Sequence, residues 1–125
     1  MYERETYLIR GASFRVWKKL GGAFKESVVD NAMNIELRKQ GFRVESQKRI
    51  NIFYDNIKIG TFIPDIIVNE RIIIELKCKP FIMHADKAQF WRYIKSTQYK
   101  LGLLINFSPQ KVEIKRCIYD KARLK

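Results

Sequence analysis

The sequence predicts a mixed-sheet α/β domain whose central sheet is covered by helices on both faces. Three features carry that expectation. Two segments with helical period precede a group of strand-like segments. Two of those strands contain uninterrupted apolar triplets, Ile66-Ile67-Val68 and Ile72-Ile73-Ile74, the composition of strands buried on both faces. A later helical segment then leads into Leu101-Gly102-Leu103-Leu104-Ile105-Asn106-Phe107, which reads as a fully buried strand reached by a helical crossover. At 125 residues and 46% hydrophobic, the chain is long enough for one core and too short for two, so residues 1–125 are expected to form one domain.

In order along the chain, Tyr7, Leu8, Gly11, Phe14, Val16, Trp17 and Leu20 recur at roughly helical spacing, and Gly21-Gly22 ends that helix. A second helix begins near Phe24, runs through Val28, Val29, Ala32, Ile35 and Leu37, and stops at Gly41, with Glu26 in its first turn where the helix dipole favours negative charge. From Phe42 the composition becomes strand-like through Val44, Ile50, Ile52, Phe53 and Tyr54 to a hairpin turn at Asp55-Asn56. The next strand spans about residues 57–68, and a short turn at Asn69-Glu70 returns the chain through residues 71–77. After Pro80, a third helix covers about residues 83–97 with Ala85, Ala88, Trp91 and Ile94 on one stripe. The buried strand 101–107 and an alternating edge strand, 112–118, complete the order ααβββαββ.

The charge is lopsided: 25 Lys and Arg face 13 Asp and Glu, giving +12. A domain this basic is suited to a polyanion, nucleic acid above all, because cations that neutralise phosphates release condensed counterions; a surface charged only for solubility is the plainer reading. Cys78 and Cys117 are too few for a disulfide framework and lack metal-ligand spacing, which suits a reducing cytoplasm. The N-terminus has no apolar leader and no segment is apolar enough to span a membrane, so neither secretion nor membrane insertion is expected.

The stretch Ile63 to Lys77 sets Asp65, Glu75 and Lys77 among Ile, Val and Leu. Glu75 and Lys77, two apart on a strand, share a face, and a hairpin centred on Glu70 sets Asp65 opposite Glu75. A regular two-residue hairpin would instead turn the two carboxylates to opposite faces. Two carboxylates that close repel, and burying them unpaired costs several kcal/mol. A hard divalent cation resolves both problems: Mg²⁺ takes one or two carboxylates and keeps waters and phosphate oxygens, and Mn²⁺ is a possible substitute. Lys77 would bring positive charge to the attacking water or the scissile phosphate. An ordinary salt bridge at a strand end is the plainer account of Glu75 and Lys77, which Asp65 on the neighbouring strand weakens.

Pro64-Asp65, nine intervening residues, then Glu75-Leu76-Lys77 resembles the signature of the PD-(D/E)XK nuclease superfamily. Over nearly its whole length the chain resembles the small prokaryotic GxxExxY proteins of that superfamily, through residues 20–28, Ile74-Glu75-Leu76-Lys77, Gln89 with Tyr93, and residues 102–107. The resemblance implies a restriction-endonuclease-like αβββαβ core, with an extra N-terminal helix and a C-terminal edge strand. It also implies Asp65, Glu75 and Glu26 as metal ligands, Lys77 as the catalytic lysine and Gln89 beside the site. Aligned on Glu26, the family's glycine position holds Ala23 and its tyrosine position holds Val29.

His84, near the start of the third helix, could approach phosphate or cap the helix; with Lys87 and Tyr93 it makes a secondary set of nucleic-acid contacts. Trp17, Trp91 and Phe90 are first of all core aromatics, and Cys78 is small core filler. The expected function is Mg²⁺-dependent hydrolysis of DNA phosphodiester bonds. Two alternatives stay open: a nucleic-acid-binding module of this fold without turnover, and a homodimeric junction-resolving endonuclease.

Overall fold

The computed structural model describes residues 1–119. Helix α1 (Glu3–Leu20) starts four residues before the predicted periodicity, with Glu3 and Glu5 complementing its N-terminal dipole and Lys18 and Lys19 its C-terminus. Helix α2 (Glu26–Lys39) repeats that polarity with Glu26 first and Arg38 and Lys39 last. Strands β1 (Val44–Ser46), β2 (Ile50–Tyr54), β3 (Ile57–Phe62), β4 (Ile66–Val68) and β5 (Ile72–Lys77) follow, then α3 (His84–Lys95), β6 (Leu101–Phe107) and β7 (Val112–Ile118).

The sequence-based order ααβββαββ is therefore corrected to ααβββββαββ. The strand expected from Phe42 to Tyr54 divides because Gln47 takes a left-handed backbone, φ 55°, which strands do not tolerate. The strand expected over residues 57–68 divides at Pro64, which has no N–H for a ladder bond. Residues between these breaks leave the main sheet as a separate β2–β3 hairpin. Its turn residues Asp55 and Asn56, at φ 50° and 64°, have the left-handed backbone of a primed turn.

The main sheet has the order β1-β4-β5-β6-β7, with β5 and β6 parallel and the other neighbours antiparallel. Setting α1, the hairpin and β7 aside leaves α2-β1-β4-β5-α3-β6, the expected αβββαβ core. Both faces are covered. Ile66, Val68, Ile72 and Ile74 face Ile9, Val16, Met33 and Leu37 of α1 and α2. Ile67, Ile73 and Leu104 face Phe90 and Ile94 of α3, with Phe62 of the hairpin beside them. All six side chains of the two apolar triplets are fully buried, at about 2 kcal/mol each, so alternating faces supply two cores from one run. Gly102 lets α3 approach β6: a Cβ there would lie 2.5 Å from Ile94 Cδ1 and 2.7 Å from Phe90 Cζ.

Candidate active site

The carboxylates are set by strand register. Ile66, Ile67 and Val68 pair with Ile74, Ile73 and Ile72, so the β4–β5 connection is centred on Glu70. Asn69 and Glu70 take left-handed backbones, φ 52° and 57°, and Arg71 donates its N–H to Val68 O at 3.0 Å. This odd count puts Asp65 one step beyond the Ile66–Ile74 pair, opposite Glu75. Asp65 N–H donates to Glu75 Oε1 at 3.2 Å, and Leu76 N–H donates to Asp65 Oδ2 at 2.8 Å. Where Pro64 ends the ladder, side-chain oxygens thus take over from backbone ones, and the two carboxylates are aimed by the same bonds.

Burial and the charge of Asp65 push the Glu75 carboxyl up to about 7, against a partial opposing effect of Lys77. Glu26, at the start of α2, is also raised, by burial and then by Asp65, with Lys77 opposing. Asp30, one helical turn after Glu26, is raised by the same two causes, with Gln47 and Asn34 hydrogen-bonding it in the opposing sense. Four acidic groups and Lys77 therefore share one electrostatic neighbourhood. Lys77 forms no ion pair among the described residues, and its charge is felt at Glu26, Glu75 and Asp86. Cys78 is pushed up to about 11 by burial and the charges of Glu26 and Asp65, which keeps it a thiol and removes it as a nucleophile.

A supporting network fixes the chain beyond β5. Asn106, fully buried on β6, accepts from Lys79 N–H and donates to Lys79 O, both at 2.9 Å, and donates to Glu113 Oε1 at 2.9 Å. Lys79 Nζ meets Asp86 Oδ2 at 2.7 Å, and Asp86 also accepts the Met83 N–H at 2.9 Å, closing the first turn of α3. Two strands, one helix start and one connection are so joined around the neighbours of Lys77.

A sequence model of the PD-(D/E)XK nuclease superfamily matches residues 3–117. The chain belongs to that superfamily. Comparisons with curated proteins and with solved structures give no match. Among the described residues no group of three or more acidic, histidine or cysteine side chains is placed to hold a metal ion, while Glu26 lies within electrostatic reach of Asp65 and Lys77. Two aimed carboxylates suffice for a hard cation that keeps its waters, and a Glu75 carboxyl raised by the charge opposite it is relieved by such a cation. The donor set of this superfamily domain fits a divalent ion.

The other expected residues all lie on α3. Gln89 is exposed on α3, one turn after Asp86. His84 is exposed at the first helical position, so the cap expected of it falls instead to Met83 with Asp86. Lys87 is half-buried beside it. Tyr93 is stacked on Phe62 with ring centroids 4.3 Å apart, so one face of its ring is used inside the fold rather than for a base.

Sequence reasoning missed Asp30, Gln47 and Asn106. Asp30 was legible as the acidic residue four positions after Glu26, on the same helical stripe. Gln47 and Asn106 carry no local signal, because their partners lie 18 and 27 residues away. The departures from the GxxExxY pattern also acquire a structural setting. Val29 is 1% exposed and packs in the core on the α1 and α2 side of the sheet. Gly22 passes so close to the β6–β7 turn that a Cβ would sit 2.2 Å from Ser108 O.

Proposed function

We propose that this protein is a Mg²⁺-dependent nuclease that hydrolyses phosphodiester bonds in DNA, with Mn²⁺ as a possible replacement. The observation that carries this reading is the in-register pairing of Asp65 with Glu75, each aimed by a backbone N–H, with Lys77 on the same strand face. Superfamily membership and the +12 charge support it.

Asp65 and Glu75 would hold the ion, which when bound supplies positive charge to the phosphate and acidifies a coordinated water. Lys77 places an ammonium beside them, suited to orient the attacking water and to offset charge growing on the phosphate. Glu26 and Asp30 raise the negative potential that attracts the cation, and Gln89 lies on the helix that borders Lys77. Assignment to the GxxExxY subfamily, which rests on the sequence stretches that resemble it despite Ala23 and Val29, is part of the same proposal. The test is cleavage of single-stranded, duplex and branched DNA, and of RNA, with and without Mg²⁺. Cleavage that needs metal and disappears in Lys77→Ala supports the reading. No cleavage of any form, with Asp65→Ala indistinguishable from wild type, sinks it.

A second reading is favoured by the lack of a third metal-binding side chain among the described residues: a nucleic-acid-binding module of this fold without turnover. It predicts salt-dependent binding that Asp65→Ala leaves unchanged or strengthens.

A further inference from the structure

The β2–β3 hairpin is required neither by the αβββαβ core nor by the carboxylates. Its stem is anchored, since Ile50, Ile52 and Phe62 rest on the α3-side core and Phe62 stacks on Tyr93. Its outer end has the opposite character. Phe53, Tyr54, Ile57 and Ile59 are 59%, 68%, 67% and 64% exposed, four large apolar side chains within seven residues. A bulge between Ile52 and Phe53 pairs Phe53 with Lys58 and leaves Ile59 without a cross-strand partner, so the apolar groups are splayed to both sides of the ribbon. Exposed apolar groups gathered this way mark an interaction surface rather than a folding element.

Charge selects the occupant. The segment 48–58 contains Lys48, Arg49 and Lys58 against the single acid Asp55, and Arg49 and Lys58 form no ion pair among the described residues. An apolar protein groove would leave those cations unmatched, whereas nucleic acid offers flat apolar base faces flanked by phosphates. Topology adds a second argument. The hairpin leaves the sheet just after Gln47 and returns just before Asp65, and Gln47 N–H donates to the backbone carbonyl of Asp65 at 3.2 Å, so the base of the stem is tied to the backbone that carries a site carboxylate.

We propose that the hairpin is a nucleic-acid grip: its apolar tip stacks on, or wedges between, bases while Arg49 and Lys58 meet the flanking phosphates. The choice of partner rests on the nuclease reading above. The preferred substrates are strands with unpaired or easily unstacked bases near the cleavage point. At roughly 3.3 Å per residue, the strand β3 alone spans about 17 Å, or about five stacked nucleotides.

The test uses the full chain in EDTA, with binding read by fluorescence anisotropy and base unstacking by 2-aminopurine in single strands of roughly 20 and of about four nucleotides. Phe53→Ala/Tyr54→Ala is expected to bind the long strand roughly tenfold to a hundredfold more weakly, to lose the 2-aminopurine signal, and to match wild type on the short strand. Its thermal unfolding midpoint should stay at the wild-type value, since both side chains are exposed. Ile57→Lys/Ile59→Lys separates stacking from charge: the grip predicts a lost 2-aminopurine signal despite two added cations. Equal long-strand binding by wild type and the alanine variant overturns the proposal. So does a 2-aminopurine signal retained by the lysine variant, or a wild-type dimer that the alanine variant dissolves, which would seat a second copy on the tip. Hairpin-dependent binding without any metal-stimulated cleavage would remove the nuclease reading and leave the grip standing.

Discussion

Asp65 and Glu75 face each other across β4 and β5, and each carboxylate accepts a backbone N–H from the other's strand, Asp65 N–H to Glu75 Oε1 at 3.2 Å and Leu76 N–H to Asp65 Oδ2 at 2.8 Å. Two like charges are held together by the bonds that orient them. The arrangement favours chemistry over stability, because without a cation the desolvation of Glu75 and its repulsion by Asp65 are only partly offset by the Asp65 N–H and Lys77.

Removing Asp65 separates the two contributions. Asp65→Ala is expected to lower metal-dependent cleavage on the order of a thousandfold, given the several kcal/mol that a bound cation supplies to a phosphoryl transition state. The same change should bring the Glu75 carboxyl back toward the ordinary carboxylate range, since Asp65 is the second cause of its elevation after burial. Carboxyl NMR titration of wild type and variant checks this independently of activity.

Glu75 also gives stability a defined pH dependence. Its folded carboxyl lies at about 7 against an ordinary 4.5, so between those values the folded state binds the proton and the unfolded state does not. Stability is therefore greatest below about 4.5 for this group and falls as pH rises to about 7, by at most about 3 kcal/mol, and then levels. Urea unfolding in EDTA should show that slope, and Glu75→Gln should flatten it and be the more stable protein at pH 8. Added Mg²⁺ should reverse the slope for wild type, because the ion competes with the proton.

How much of this was legible in the sequence follows from the range of each interaction. The apolar triplets, the helix polarities and the E-x-K face depend on neighbours two to four residues apart, and their elements appear where periodicity puts them. The Asp65–Glu75 pairing needed one more fact, the parity of the turn, which Asn69 and Glu70 settle by both entering the left-handed region. The division of two strands and the hairpin that results were hidden because Gln47 has no sequence feature that marks positive φ, while Pro64 was visible but did not reveal that the chain would leave the sheet. The contacts of Asn106 join β6 to the residue after Cys78, a partnership only the folded topology creates.

Asn106 should therefore be a stability residue with a functional consequence. Asn106→Ala leaves the Lys79 N–H and C=O and a Glu113 oxygen without their buried partner, and is expected to cost about 2–4 kcal/mol. Chemical denaturation measures the loss. Asn106→Asp restores the acceptor for Lys79 N–H but sets a second carboxylate against Glu113, so it should recover less than half of that loss at neutral pH.

Gln47 makes the opposite case, a residue whose backbone is costly and whose side chain is useful. Its φ of 55° costs a non-glycine residue about 1 kcal/mol, while its amide lies 3.5 Å from Asp65 Oδ1 and hydrogen-bonds Asp30. Gln47→Gly keeps the backbone path and the N–H to Asp65 O but deletes the amide. Thermal unfolding should show the variant as stable as wild type or about 1 kcal/mol more so. Asp30 should titrate higher than in wild type, having lost a bond that holds it down, and cleavage should fall roughly tenfold with the metal requirement shifted to higher concentration. A stability gain without any change in metal requirement would show that the left-handed residue serves only to turn the chain into the hairpin.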